Sequence, residues 1–218
     1  MIQIWKGFPF AAIMAGVALL GVSATEAPAV TLADFDGIQT GALSGTDLSI
    51  ASIGSGACSG ASLGGSASGS ALCGVNVAGN SLTFSGIDFD APQTLSFSLA
   101  AFITGSGDFD PPDTISVTAN GVDVVTFNGV DGTSIFTQSS GAIGAGAVVN
   151  DVFQDFSVNT ALLGAGFGDL VFFFSTSAPT ENVALDSVAL SPIPLPAGGA
   201  LLLAGLAAFG LVARRQRS

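Results

Sequence analysis

Histidine and tyrosine are absent from the 218 residues, tryptophan occurs once, and lysine and arginine together occur four times. Each scarcity closes a class of function. Without histidine there is no serine–histidine–acid triad and no histidine-ligated zinc site. Without a basic patch there is no electrostatic footprint for nucleic acid. The single tryptophan, Trp5, lies at the extreme N-terminus. Phenylalanine, with 17 copies, is the aromatic left to offer a platform to a sugar, and it has no polar handle. Charged residues make up 9% of the chain, against about 25% in an ordinary soluble domain, while hydrophobic residues make up 49%. That hydrophobicity argues against charge-driven disorder.

The few bases sit at the ends, as Lys6, Arg214, Arg215 and Arg217. All 16 acids lie between Glu26 and Asp186, so the net charge of −12 belongs to the middle of the chain. At the N-terminus, Lys6 precedes an apolar run over 8–22 that ends in the small residues Val22-Ser23-Ala24. This pattern predicts a secretory signal peptide over 1–24, cleaved after Ala24. The competing reading is an uncleaved anchor, for which a run of about 15 residues is short.

The C-terminal segment 192–218 has three parts: a proline-rich box, an apolar run over 197–213 and an arginine cluster. At about 1.5 Å per residue the run spans about 25 Å, enough for a single transmembrane helix with little to spare. The positive-inside rule keeps the arginines cytoplasmic and the body outside.

The box reads Ile193-Pro194-Leu195-Pro196-Ala197, and Arg214, Arg215 and Arg217 close the chain. This order of box, helix and arginines resembles the PEP-CTERM class of sorting signals, in its Val-Pro-Leu-Pro-Ala variant, with Ile193 in place of valine. The resemblance covers only the tail. It implies processing by an exosortase, a membrane-embedded protease-transpeptidase of Gram-negative bacteria. A membrane-anchored intermediate would then be delivered to the cell surface or the exopolysaccharide matrix. The plain alternative is a permanent C-terminal anchor.

Between the two ends, residues 25–191 form one body long enough for a substantial core. Alternation of period two predicts strands over 47–51, 81–89, 94–99, 115–117, 122–124, 152–158, 170–175 and 182–190. Asn120-Gly121 predicts a type I′ hairpin, and Asn128-Gly129 and Asp131-Gly132 predict further turns. The run Leu170-Val171-Phe172-Phe173-Phe174 is apolar throughout and predicts a central strand covered on both faces. The expected fold is all-β, an antiparallel β-sandwich with a jelly-roll-like order. Residues 52–74 are rich in Gly and Ser and predict a flexible loop. Cys58 and Cys73 bracket its middle, and in an exported protein an isolated pair forms a disulfide.

Three Asp-Phe-Asp triplets stand out: Asp34-Phe35-Asp36, Asp88-Phe89-Asp90 and Asp108-Phe109-Asp110, the last continuing through two prolines to Asp113. In an extended chain each triplet turns two carboxylates to one side and a phenylalanine to the other. One reading makes them solubilising strand ends. The other makes them oxygen ligands for Ca²⁺. Two groups are candidates. Asp34 or Asp36 with Asp186, and Glu181 as an outer ligand, would join the first strand to the last, on analogy with jelly-roll sandwiches. Asp108, Asp110 and Asp113 would form a loop site.

With no lysine or arginine in the body to hold an anionic substrate or an oxyanion, the chain is expected not to be an enzyme. The first expectation is an exported structural protein of the surface or matrix. The second is a calcium-dependent carbohydrate-binding or adhesive module, and the third an acid-pair glycosidase. Removal of both ends would take the charge from −12 to about −16, which only solvent ions, calcium or a cationic partner can balance.

Overall fold

Alternating burial builds the sheets. In the computed structural model, which describes residues 28–62, 64–90 and 93–193, strand β7 (Thr114–Ala119) buries Ile115, Val117 and Ala119. It leaves Ser116 and Thr118 half-buried. The Asn120-Gly121 turn leads into β8 (Val122–Gly129), and both turn residues have positive φ (50° and 75°), as a type I′ turn demands.

The remaining strands are β1 (Val30–Ala33), β2 (Ala42–Ser44), β3 (Leu48–Ser52), β4 (Ser70–Val75), β5 (Asn80–Asp88) and β6 (Gln93–Ile103). They continue with β9 (Phe136–Gly141), β10 (Val148–Val149), β11 (Gln154–Asn159), β12 (Phe167–Ser175) and β13 (Glu181–Pro192). One sheet has the order β11-β6-β13-β4-β3, with β1 also paired to β13. The other has the order β10-β9-β8-β7-β12-β5-β2. Adjacent strands in both sheets run antiparallel.

The facing sides of the sheets form the main core. Phe97 of β6 meets Phe172 of β12 edge to face at 5.2 Å, and Phe127 of β8 meets Phe156 of β11 at 5.3 Å. Among the described residues no helix is long and apolar enough to cross a membrane. The expected signal peptide, the 197–213 helix and the sorting residues from Pro194 onward lie outside the described residues.

Three expectations need correction. Gly129 is not in a turn. It pairs with Phe136, and its N–H donates to the Asp113 carbonyl, so β8 runs through it and the chain turns at Asp131-Gly132. Strand β12 is central in its sheet, but only Leu170, Phe172 and Phe174 are buried, and Val171 and Phe173 are half-exposed. The strands covered on both faces are β6 and β13, with β4 beside them. Their outer residues Ala100, Phe102 and Ala184 pack with Cys58, Ala61, Ala71, Cys73 and Phe153 in a second core.

That second core exists because the Gly/Ser-rich segment is not a free loop. Residues 70–74 belong to β4, and the segment before them lies over the sheet. The expected Cys58–Cys73 disulfide is formed. Three alternate amides are pinned by carboxylates: Ser66 to Asp155 (2.9 Å), Ser68 to Asp186 (2.9 Å) and Ser70 to Asp36 (2.7 Å). Gly69, at φ 63°, sits where the Asp36 carboxylate fills the space a β-carbon would need. Gly69→Ala should therefore cost about 1–2 kcal/mol in reversible denaturation. A neutral result would mean that these pins do not order the segment.

Candidate metal centre

The two expected calcium groups are rearranged in the fold. Asp34 turns inward on its own loop, where Oδ1 accepts the N–H groups of Asp36, Gly37 and Ile38 at 3.1, 3.0 and 2.8 Å. These bonds, Ile38 foremost, hold its carboxyl below the usual range. Asp36 and Asp186 do approach each other, because β1 pairs with β13 and the Asp36 charge is felt at Asp186. Asp186 is fully buried. Its oxygens accept from Ser68 N–H (2.9 Å) and Ser187 N–H (2.7 Å), and burial pushes its pKa up to about 6, with Asp36 adding to the rise.

Glu181 is not their neighbour. It begins β13, five residues before Asp186, which is about 16 Å along a strand. Asp108 also stands apart. Its Oδ2 accepts the Gly132 N–H at 2.6 Å and ties down the β8–β9 connection.

What the fold brings together is Asp110, Asp113 and Glu181. One carboxylate oxygen from each lies within 4.8 Å of the other two. Two chain segments supply them. Asp110 and Asp113 come from the β6–β7 connection, where Asp113 N–H bonds the Asp110 carbonyl at 2.7 Å. Glu181 comes from the turn into β13, where its Oε2 accepts Ser177 N–H (2.7 Å) and Ala178 N–H (2.6 Å). Asp113 Oδ2 accepts Asp110 N–H at 3.0 Å, and the Ser177 hydroxyl reaches Asp110 Oδ1 at 3.4 Å.

Asp113 and Glu181 are 1% and 2% exposed, and Asp113 Oδ1 is buried without any hydrogen-bond partner. Burial raises the pKa of both groups. Neighbouring N–H groups work against that rise, and like charges among the three carboxylates add to it. No basic residue exists between residues 25 and 191 to compensate. At an effective dielectric of about 20, each ionised pair at this spacing costs about 3–4 kcal/mol. A hard divalent cation relieves this. Ca–O distances of about 2.4 Å place ligand oxygens within about 5 Å of one another, which suits this cluster.

Raised carboxylate pKa values reverse the usual response to acid. Asp186 protonates near pH 6 in the folded chain and near 3.8 when unfolded. Its contribution is therefore fully present below about 3.8 and is lost as pH rises through about 6. Asp113 and Glu181 act in the same direction. Asp155 acts oppositely. Burial disfavours its charge, but the Ser98 hydroxyl and the Ser66 N–H and hydroxyl outweigh burial and hold its carboxyl low. Asp34, also held low, joins it. In chelator, the melting temperature should rise between about pH 7.5 and pH 5, then fall below about pH 3.8. A steady fall from neutral pH downward would contradict this account.

A cleft of about 410 Å³ lies beside the same connection, bounded by Gly60, Gly105, Gly107, Ser134 and Asp151. No local pattern reveals it, because the end of β6 and four separate connections supply its walls.

No protein-family profile matches the chain, and no curated protein matches it. Among solved structures, the carbohydrate-binding module CsCBM6-3 of Clostridium stercorarium, in complex with cellobiose, is 21% identical. It has a TM-score of 0.36 over 70% of this chain and 87% of that one. The K1 cleaved adhesin domain of Lys-gingipain from Porphyromonas gingivalis W83 is 13% identical, with a TM-score of 0.44 over 77% of this chain and 99% of that one. The carbohydrate-binding module CBM36, in complex with calcium and xylotriose, is 13% identical, with a TM-score of 0.36 over 76% and 100%. At these scores no residue role is carried over from any of them.

Proposed function

We propose that the chain is an exported, non-enzymatic adhesive module of a bacterial surface or matrix, and that Asp110, Asp113 and Glu181 hold a calcium ion in it. The observation that carries this reading is the orphaned Asp113 Oδ1, a buried oxygen of a carboxylate that lies close to those of Asp110 and Glu181 with no base to pair it. The strand order supports a jelly roll, in which the chain alternates between sheets from β4 through β7 and again from β10 to β13. The disulfide supports an oxidising, extracytoplasmic destination.

The burial of Asp113 and Glu181 favours a cation over a glycosidase acid pair, since a polymer cannot reach carboxylates 1% and 2% exposed. On this reading the partner is surface polysaccharide. Delivery by an exosortase rests on the Ile193–Ala197 box and the arginines alone.

Titration calorimetry with calcium chloride tests the site. One binding event in the native protein, absent in Asp113→Asn, is the expected result, and no heat in the native protein removes the reading. Mass spectrometry of the mature protein tests the sorting step. A C-terminus still carrying Arg214, Arg215 and Arg217 would leave a permanent anchor instead.

A further inference from the structure

The carboxylate cluster and the cleft are joined by one stretch of chain, residues 104–113. Beside it runs the turn 176–181. At one end the two are fastened by neutral hydrogen bonds. Thr104 N–H donates to the Thr180 carbonyl at 2.8 Å, and Asn182 Nδ2 donates to the Phe102 and Thr180 carbonyls and the Thr104 hydroxyl at 3.3, 2.8 and 3.2 Å. Gly107 then packs so closely on the Thr180 hydroxyl that a β-carbon would meet it. At the other end Asp110 and Asp113 face Glu181, where like charges oppose approach, and the Ser177 hydroxyl reaches across to Asp110 Oδ1 at 3.4 Å.

Gly105 and Gly107, between these two fastenings, form one wall of the cleft, and Phe102, Ile103, Ser134, Asp151 and Gly60 form the rest. Residues 104–107 are exposed and contribute nothing to either core, so little else fixes their position.

We propose that a divalent cation on Asp110, Asp113 and Glu181 gates this cleft, drawing the 104–113 wall onto the 176–181 turn when bound and releasing it when lost. The inference rests on the cation reading above and adds a second site coupled to the first. Coupling of this kind requires two arrangements of one element, each favoured by a different occupancy. Here the element is the glycine-bearing wall, and the bias is the switch from three-way repulsion to shared ligation.

Hydrogen exchange on the purified, disulfide-intact full chain, in calcium and in chelator, tests it alongside calorimetry on the same sample. Calcium should slow exchange at Gly105 and Gly107 about fivefold or more, within the usual range of coupling between sites. The hairpin at Asn120-Gly121 should be unaffected. Asp113→Asn should exchange at one rate in both conditions, and Glu181→Gln provides the same comparison if the first variant folds poorly. Calcium heat with unchanged exchange at the wall overturns the gating and leaves the cation reading standing. Absence of calcium heat overturns both.

Discussion

Calcium at about a hundred times its dissociation constant should stabilise the chelator-treated protein by about 2.7 kcal/mol, through linkage to the folded state alone. For a domain of this size the melting temperature should rise by about 5–11 °C. The effect has a specific source. The unfolded chain cannot bring Asp110 and Asp113 to Glu181, which lies some seventy residues away. Asp113→Asn should separate the two halves of the argument. The amide oxygen can keep the Asp110 N–H bond, while the amide nitrogen takes the place of the orphaned Oδ1 and can donate to a neighbouring carboxylate. The variant should melt above the native protein in chelator and show no response to calcium. A variant that melts below it in chelator, with a retained calcium response, would mean that the cluster is not the site.

Replacing Cys58 and Cys73 together by alanine should cost about 3 kcal/mol, the chain-entropy value for a loop of this size. The sequence separation is 15 residues, and both sulfur-bearing residues are fully buried in the second core. Reversible denaturation of the double variant measures the loss, with an expected fall in melting temperature of about 6–12 °C. A loss below about 1 kcal/mol would show that the three carboxylate pins on Ser66, Ser68 and Ser70 order the segment unaided, leaving the disulfide little unfolded-state entropy to remove. The packing of Ala100, Phe102 and Ala184 beneath the segment depends on the same question.

Period-two alternation located the strands that form the two sheet centres. The expected 115–117 and 122–124 pair appears as β7 and β8 around the expected turn, and 182–190 lies within β13. It missed β1, β2, β9 and β10, which are short or carry small and polar residues at exposed positions. β4 was hidden inside the Gly/Ser-rich stretch. Composition suggested mobility there, but its order comes from aspartates more than thirty residues away, which no local pattern reveals.

The carboxylate cluster was half legible. Asp110 and Asp113 belong to one triplet and its extension, so spacing found them. Asp108 shares that triplet, but the chain turns at Asp110, and Asp108 points to Gly132 instead. Glu181 was assigned to the wrong group. Its role depends on which end of β13 meets the β6–β7 connection, which is a property of sheet order and not of sequence spacing. Asp155, which holds Ser66 and Ser98, was not singled out because it stands alone in the sequence.

The most direct test of the cation reading is a crystal structure of the protein grown with calcium, with anomalous difference maps. The account predicts one peak at about 2.3–2.6 Å from oxygens of Asp110, Asp113 and Glu181, with Asp113 Oδ1 among the ligands. A well-ordered cluster with no peak, and with Asp113 Oδ1 satisfied by water or by a proton shared with Glu181, would contradict it.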